Sequence, residues 1–315
     1  MCTLFQFIFR QINADESRIQ ESEYKFAIEL LRYVTRNGHT SFVISPFSIA
    51  ITLSILSYGA VGNTQAQIDK LIANGIEHQR TQNYFKTHND QLQNSSSNST
   101  ISNTAFHSLN LIVIRQKNNL TSINEQFRLN TVHEYYRSQI MLNDFSNATD
   151  LISVRSTCSH YKVYRTLLQR VIFKDIDEWI RAESDSYIDT IANQANTRPQ
   201  SKILVFNAVW MWAEWIKKFK NEETFLKDFY VNQDEIKRVN MMPIWAYGTY
   251  RYGENADLQV VGIPFSDEET YMYIFLTRDR YAVLNDFIKD MDYQRIIALI
   301  NRCKIVDVEV GHCLT

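Results

Sequence analysis

The chain has 315 residues, with 33 Lys and Arg against 35 Asp and Glu, so its formal net charge is −2. That balance, with no dense basic run, argues against a nucleic-acid partner. Apolar residues make up 45% and charged residues 22%, as in ordinary globular proteins, and eight glycines with four prolines are too few for a fibre or a long disordered linker.

The first sixteen residues, MCTLFQFIFRQINADE, hold a short apolar core that Gln6 interrupts. There is no basic leading region and no small-residue cleavage site, so the stretch reads as a poor signal peptide. Phe26, Ala27, Leu30, Leu31 and Val34 recur at helical spacing and predict an amphipathic first helix. Ser45 is a good N-cap and Pro46 suits the first helical position. The run that follows, with Ile49, Ile51, Leu53, Ile55 and Leu56, is apolar on all sides. Serines at 48, 54 and 57 interrupt it, and it is too short for a membrane span, so it reads as a buried helix. Gly59 is expected to end it with a positive φ. Thr64 and Gln67 have the spacing of a capping box that starts another helix.

NSSSNST at 94–100 reads as a polar loop. Ile101–Phe106 and Leu109–Arg115 read as strand-type runs, and Ile123, Phe127, Tyr135 and Tyr136 mark a mixed stretch. Near Trp179 a helix shows Ile176, Trp179 and Ile180 on one side and Arg181, Glu183 and Asp185 on the other. KILVFNAVWMW, Lys202–Trp212, is continuously apolar, as expected of a strand covered on both faces. Tyr247–Tyr252 is rich in strand formers, and Leu258–Phe265 with Tyr271–Thr277 reads as a hairpin. Two helical faces follow, Leu284, Phe287, Ile288, Met291 and then Ile296, Ile297, Ile300. KIVDVEV alternates Val306, Val308 and Val310 against Asp307 and Glu309. Early helices and late strands make the class α+β.

Chemistry is sparse. There is no nucleophile elbow, phosphate loop or dinucleotide fingerprint. His133-Glu134 lacks the second histidine of a helical zinc site. Cys158 with His160, and His312 with Cys313, have no third orienting group. Glu183, Asp185 and Asp189 read as a solvated acidic surface, and Lys217, Lys218 and Lys220 as a solvated connection. The four cysteines, Cys2, Cys158, Cys303 and Cys313, form no CxxC pair, which argues against a disulfide framework and a zinc site. They suit a reducing compartment, or a secreted protein that does not depend on bridges. Sequons at Asn94, Asn98, Asn119 and Asn147 are about what a chain rich in Asn, Ser and Thr carries by chance. The expectation is a protein with no catalytic residues, no metal and no cofactor.

SPFSIAITLSILSYGAVGNTQAQI closely resembles the signature of the serpins, a Ser-Pro-x-Ser-Ile helix followed by Gly-Ala-x-Gly-Asn-Thr. Asp177-Glu-Trp179-Ile180 resembles the family's Asn-x-Trp-Val on the helix that crosses the main sheet. ILVFNAVWMWAEWIKKF resembles the family strand in which an Asn is followed eight residues on by Trp and twelve on by Phe, here Asn207, Trp215 and Phe219. FLKDFYV, Val239-Asn-Met241-Met242, VVGIPF and YMYIFLT follow in the family's order, and the likeness covers about residues 20–150 and 174–310.

The resemblance implies one domain of three sheets and eight or nine helices. It implies a serine-type endopeptidase inhibitor whose exposed reactive loop is cleaved by a serine or cysteine protease and then inserts into the main sheet. Ser45, Ser48 and Asn207 match the polar "shutter" beneath the strands that part, and Trp215 matches the "breach" where insertion begins. Each also has a plain structural reading, Ser45 as an N-cap and Trp215 as a core aromatic.

Three departures qualify the likeness. The match ends at Gly311-His-Cys-Leu-Thr315, so no reactive centre can be named, and the last strands of the family are unmatched. A truncated, non-inhibitory binding protein or inactive fragment is therefore the alternative. Such a chain is expected to be less stable than a complete relative and to self-associate through an exposed sheet edge. Between Phe145 and Asp177 the chain is longer than usual; about 150–173 reads as a surface insertion or as sequence foreign to the mature protein. Asp177 stands where Asn is common, which puts a local hydrogen-bond pattern in doubt. The family default is extracellular, and the weak N-terminal signal makes cytoplasmic the alternative.

Overall fold

The computed structural model describes residues 3–4, 17–36, 43–98, 104–115, 136, 138–143, 169–191, 203–230, 235–268, 270–279 and 284–313. Most of the segment about 150–173 lies outside them, as do residues 94–100 in part and the motifs around His133 and Cys158.

Four helices come first: α1 (Ser17–Thr35), α2 (Pro46–Gly59), α3 (Gly62–Ala73) and α4 (His78–Asn98). They converge on one core, in which Phe26 of α1, Ile51 and Ile55 of α2, Ile72 of α3 and Phe85 of α4 are buried together. Val34 lies off that core and is exposed, so the apolar stripe of α1 ends a turn earlier than its spacing predicts.

The N-terminus of α2 matches expectation. Ser45 is extended, its side chain accepts from the Ser48 amide, and Pro46 opens the helix. Its end does not. α2 stops at Gly59, but the next residues, Ala60 and Val61, are extended and the positive φ falls at Gly62. The left-handed turn is used to start α3, not to close α2. α3 begins at Gly62 with Val61 as an N-cap that makes no side-chain bond, so the Thr64–Gln67 spacing is no cap. The polar run at 94–98 is the last stretch of α4 instead of a loop. Asn and Ser propagate a helix only slightly less well than better formers, and a helix already begun by packed Tyr84 and Phe85 carries them.

The first sheet is three-stranded, in the order β3 (Gln139–Asn143), β2 (Thr104–Arg115), β4 (Ile203–Ala213). β2 is parallel to β3 and antiparallel to β4 over eleven residue pairs. The runs expected at 101–106 and 109–115 belong to one strand from Thr104 to Arg115; residues 101–103 lie outside the described residues. Alternate residues face opposite ways. Ile112 and Val205 join the core of α1–α4. Leu111, Val113, Leu204 and Phe206 pack on Ile176 and Trp179 of α5 (Gln169–Glu183). Arg181 and Glu183 are exposed, as their helical spacing requires; Asp185 lies beyond the helix in a turn at positive φ.

The second sheet runs β1 (Thr3–Leu4), β8 (Tyr271–Thr277), β7 (Leu258–Pro264), β6 (Ile236–Glu254), β5 (Phe225–Tyr230), with β9 (Lys304–Cys313) also on β6. The long strand β6 is broken by a bulge between Ala246 and Tyr250, where Gly248 has φ +64 and its amide donates to Asp307 Oδ1 at 2.8 Å. One arm of β6 pairs with β5 and the other with β7. Among the described residues the strands therefore form two sheets, one of six strands and one of three, where the resemblance implies three. β7 and β8 form the expected hairpin. Against it pack α6 (Leu284–Lys289), α7 (Tyr293–Arg302) and the second face of α1. Arg32 of α1 donates to the carbonyls of Ile288 and Met291, a cation at the end of α6 where the free carbonyls collect. No described helix is long and apolar enough to cross a membrane.

Candidate functional site

The sheet and the buried helix meet through polar groups. Ser45 Oγ is 2.9 Å from Ser48 Oγ, and Ser48 is fully buried. One turn on, Thr52 Oγ1 lies 3.0 Å from both the Ser48 carbonyl and Asn110 Oδ1, so one hydroxyl proton serves two acceptors. Asn110 of β2 sits directly across from Asn207 of β4. Asn207 Nδ2 donates to Asn110 Oδ1 at 2.9 Å and to the Leu109 carbonyl at 3.4 Å. Three of the four residues singled out from sequence therefore belong to one chain of bonds, from the start of α2 to β4. Asn110 and Thr52, which link them, carry no local sequence signal; they are identified only when the strands are laid beside the helix.

Asn110 is 1% exposed; its Oδ1 takes both incoming donors, and its Nδ2 has no partner among the described residues. Burying a donor unpaired costs about 1–3 kcal/mol. The cost is borne next to a strand whose far edge is open: among the described residues, β4 pairs only with β2. An edge of this length presents a row of backbone donors and acceptors to any added strand.

Trp215, the fourth residue, is elsewhere. It lies eight residues beyond Asn207, roughly 26 Å along an extended chain. Its ring stacks on Phe265 at 4.6 Å between centroids and 11° between planes, and Phe219 meets it edge-on at 6.1 Å. The backbone is tied at the same place. Ile216 N–H donates to the Pro264 carbonyl at 3.2 Å and Ser266 N–H to the Glu214 carbonyl at 2.8 Å. Trp215 thus fastens the end of β4 to the β7–β8 hairpin, joining the two sheets. Behind it Tyr250 is fully buried, its hydroxyl without a partner among the described residues and its pKa pushed up to about 12 by burial.

The other two serines of α2 do comparable work. Ser54 Oγ contacts Gln82 Oε1 at 3.1 Å and Tyr136 Oη at 2.8 Å, and Gln82 Nε2 donates back to the Ser54 carbonyl. Ser57 Oγ donates to Asp69 Oδ1 at 2.5 Å, and Asp69 Oδ2 is 3.0 Å from His78 Nδ1. The apolar helix is thus tied to the sheet by Thr52, and to α4 and α3 by its fully buried Ser54 and Ser57. Asp177 also has a clear role. Its Oδ2 accepts from Thr190 Oγ1 and its Oδ1 from Ile191 N–H, both at 2.9 Å. An Asn there would accept from the Ile191 N–H through its oxygen and would have to donate to the Thr190 hydroxyl, reversing that bond.

These features define a class: an α+β body whose three-stranded sheet is bonded through polar groups to a buried helix and joined at one end to a second sheet by an aromatic stack. Comparison with known families aligns residues 21–155 and 164–311 with the serpin (serine protease inhibitor) family. The chain belongs to the serpin family. It is 26% identical over 299 residues to a leukocyte elastase inhibitor of Xenopus tropicalis, covering 90% of this chain and 69% of that one. It is 24% identical over 280 residues to an uncharacterized serpin-like protein of Methanosarcina mazei, covering 85% of this chain and 57% of that protein. Among solved structures, the thermophilic serpin tengpin in its native state superposes with a TM-score of 0.74 at 20% identity, over 97% of this chain and 68% of tengpin. The chain thus spans 57% to 69% of these relatives' lengths.

Proposed function

We propose that this chain is the strand-accepting body of a serine-type endopeptidase inhibitor. The observation that carries the reading is the edge of β4 that has no partner strand among the described residues, beside the Ser48–Thr52–Asn110–Asn207 chain of bonds. A strand added at that edge would complete the ladder of β4 and lengthen the sheet. The latch resists parting of the strands until that ladder forms. In this reading Ser45, Ser48 and Asn207 hold the gate closed, and Trp215 holds the end at which a strand would enter. The partner is a serine or cysteine protease, caught as a covalent acyl-enzyme while the cleaved segment enters the sheet.

The same open edge favours self-association of the isolated chain. The test uses the protein at its natural length, incubated with a panel of serine and cysteine proteases. A complex that survives boiling in SDS supports the inhibitory reading. Cleavage by every protease without such a complex overturns it, and leaves a non-inhibitory binding protein.

A further inference from the structure

β5 and the arm of β6 that pairs with it form a two-stranded ribbon, Phe225–Tyr230 against Ile236–Met241. Residues directly opposite in an antiparallel ladder point to the same face. One face therefore carries three rows: Leu226 beside Asn240, Asp228 beside Arg238, and Tyr230 beside Ile236. All six residues are exposed, Leu226 to 55%, Ile236 to 54% and Tyr230 to 40%. The middle row is an ion pair, with Arg238 Nε 3.6 Å from Asp228 Oδ1 and both side chains largely in water. Such a pair adds little to the stability of a single chain. Three large apolar side chains around one exposed pair of opposite charges have the make-up of an interaction surface.

We propose that this ribbon face is a docking site for a second copy of the chain. Charge selects both the occupant and its orientation. A two-fold axis between the two faces, running along the strands, sets β5 of one copy over β6 of the other. Asp228 then meets Arg238 of the second copy, and Arg238 meets its Asp228, so four charges alternate in sign. In the same arrangement Tyr230 lies over Ile236 of the second copy, and apolar area is buried on both sides of the charges. An axis running across the strands would instead set Asp228 over Asp228 and Arg238 over Arg238, which is repulsive. The face is self-complementary in the first orientation and not in the second. A patch of six residues falls among weak, transient contacts, so a dissociation constant on the order of tens of micromolar is expected. The contact is made by side chains on a face and leaves the edge of β4 untouched.

The test is sedimentation of the protein at its natural length over a range of concentrations. The unaltered protein should form a concentration-dependent dimer. Asp228→Arg and Arg238→Asp each set like charges against each other across the axis, and each should weaken the dimer at least about tenfold. An equimolar mixture of the two variants should dimerise again, because every charge on one then faces its opposite on the other; a folding defect cannot produce that recovery. Ile236→Asn removes apolar contact without changing charge and should weaken the dimer at least about threefold. A natural-length protein that stays monomeric overturns the proposal. So does association that neither charge variant alters, which makes a strand edge the contact, and so does a mixture that fails to recover. If a charge variant does not fold, Ile236→Asn decides, and undiminished dimerisation of that variant overturns the proposal.

Discussion

β4 and β7 look alike as sequences and behave differently as strands. Both are nearly continuous apolar runs, but five of the seven positions of β7 are buried against two of the eleven of β4. β7 has a strand on each edge, helices α6 and α7 on one face and the Trp215 cluster on the other. β4 has covered faces near Val205 and Phe206 but, among the described residues, a strand on one edge only, and Ile203 and Trp212 near its two ends are about half exposed. An apolar strand is thus no measure of its own burial; its neighbours set that.

Trp215→Ala tests the seam between the two, with the largest effect. Losing the stack on Phe265 and the edge contact with Phe219 should cost about 3–5 kcal/mol, read as a lower midpoint in urea unfolding. If β4 becomes more exchange-labile and β7 does not, the seam serves the open sheet; equal loosening would erase the distinction.

Glu23 probes the helical clamp that both sheets lean on. Burial raises its carboxyl pKa to about 7, against the lowering effect of a 2.5 Å bond from Tyr84 Oη. Its folded pKa exceeds the unfolded value, so the native state binds the extra proton and this contribution is complete below about pH 4.5. It is lost as pH rises through about 7, for a total of up to about 3 kcal/mol at 1.36 kcal/mol per unit. Glu23→Gln should therefore change little at pH 4 and stabilise progressively towards pH 8, in thermal melts across that range.

Asn207→Ala removes one donor from Asn110 Oδ1 and should cost about 1–2 kcal/mol. Its signature is local: amides of β4 should exchange faster while those of β7 stay protected. A uniform change would mean that the latch is ordinary core. Tyr250→Phe is the smallest change. It deletes a buried hydroxyl with no partner among the described residues and should be neutral or stabilising by up to about 1 kcal/mol. A loss of stability there would show that the hydroxyl is satisfied in solution.

Much of the site was legible before any coordinates. Ser45 and Pro46 announce a helix start, because capping is a matter of a few adjacent backbone groups. The order of motifs from α2 to β8 points to the family. The apolar patterns of α1, α5, β4 and the β7–β8 hairpin follow from local periodicity. Other features could not be read locally. Gly62, not Gly59, takes the left-handed conformation, because the direction in which α3 must leave α2 is set by packing. The tail of α4 is helical although its residues suit a loop, because the packed first turns outweigh weak propensities.

What the sequence determined by itself is therefore local and additive: caps, periods, strand-forming runs and the ordered motifs that mark a serpin. The tertiary structure alone decided which groups meet across a distance. Thr52 reaches Asn110 across 58 residues, Asn110 reaches Asn207 across 97, and the β8 edge lies beside Thr3 and Leu4. A hydrogen bond or an open edge depends on where two backbones lie in space, and that position is set by the packing of the whole molecule.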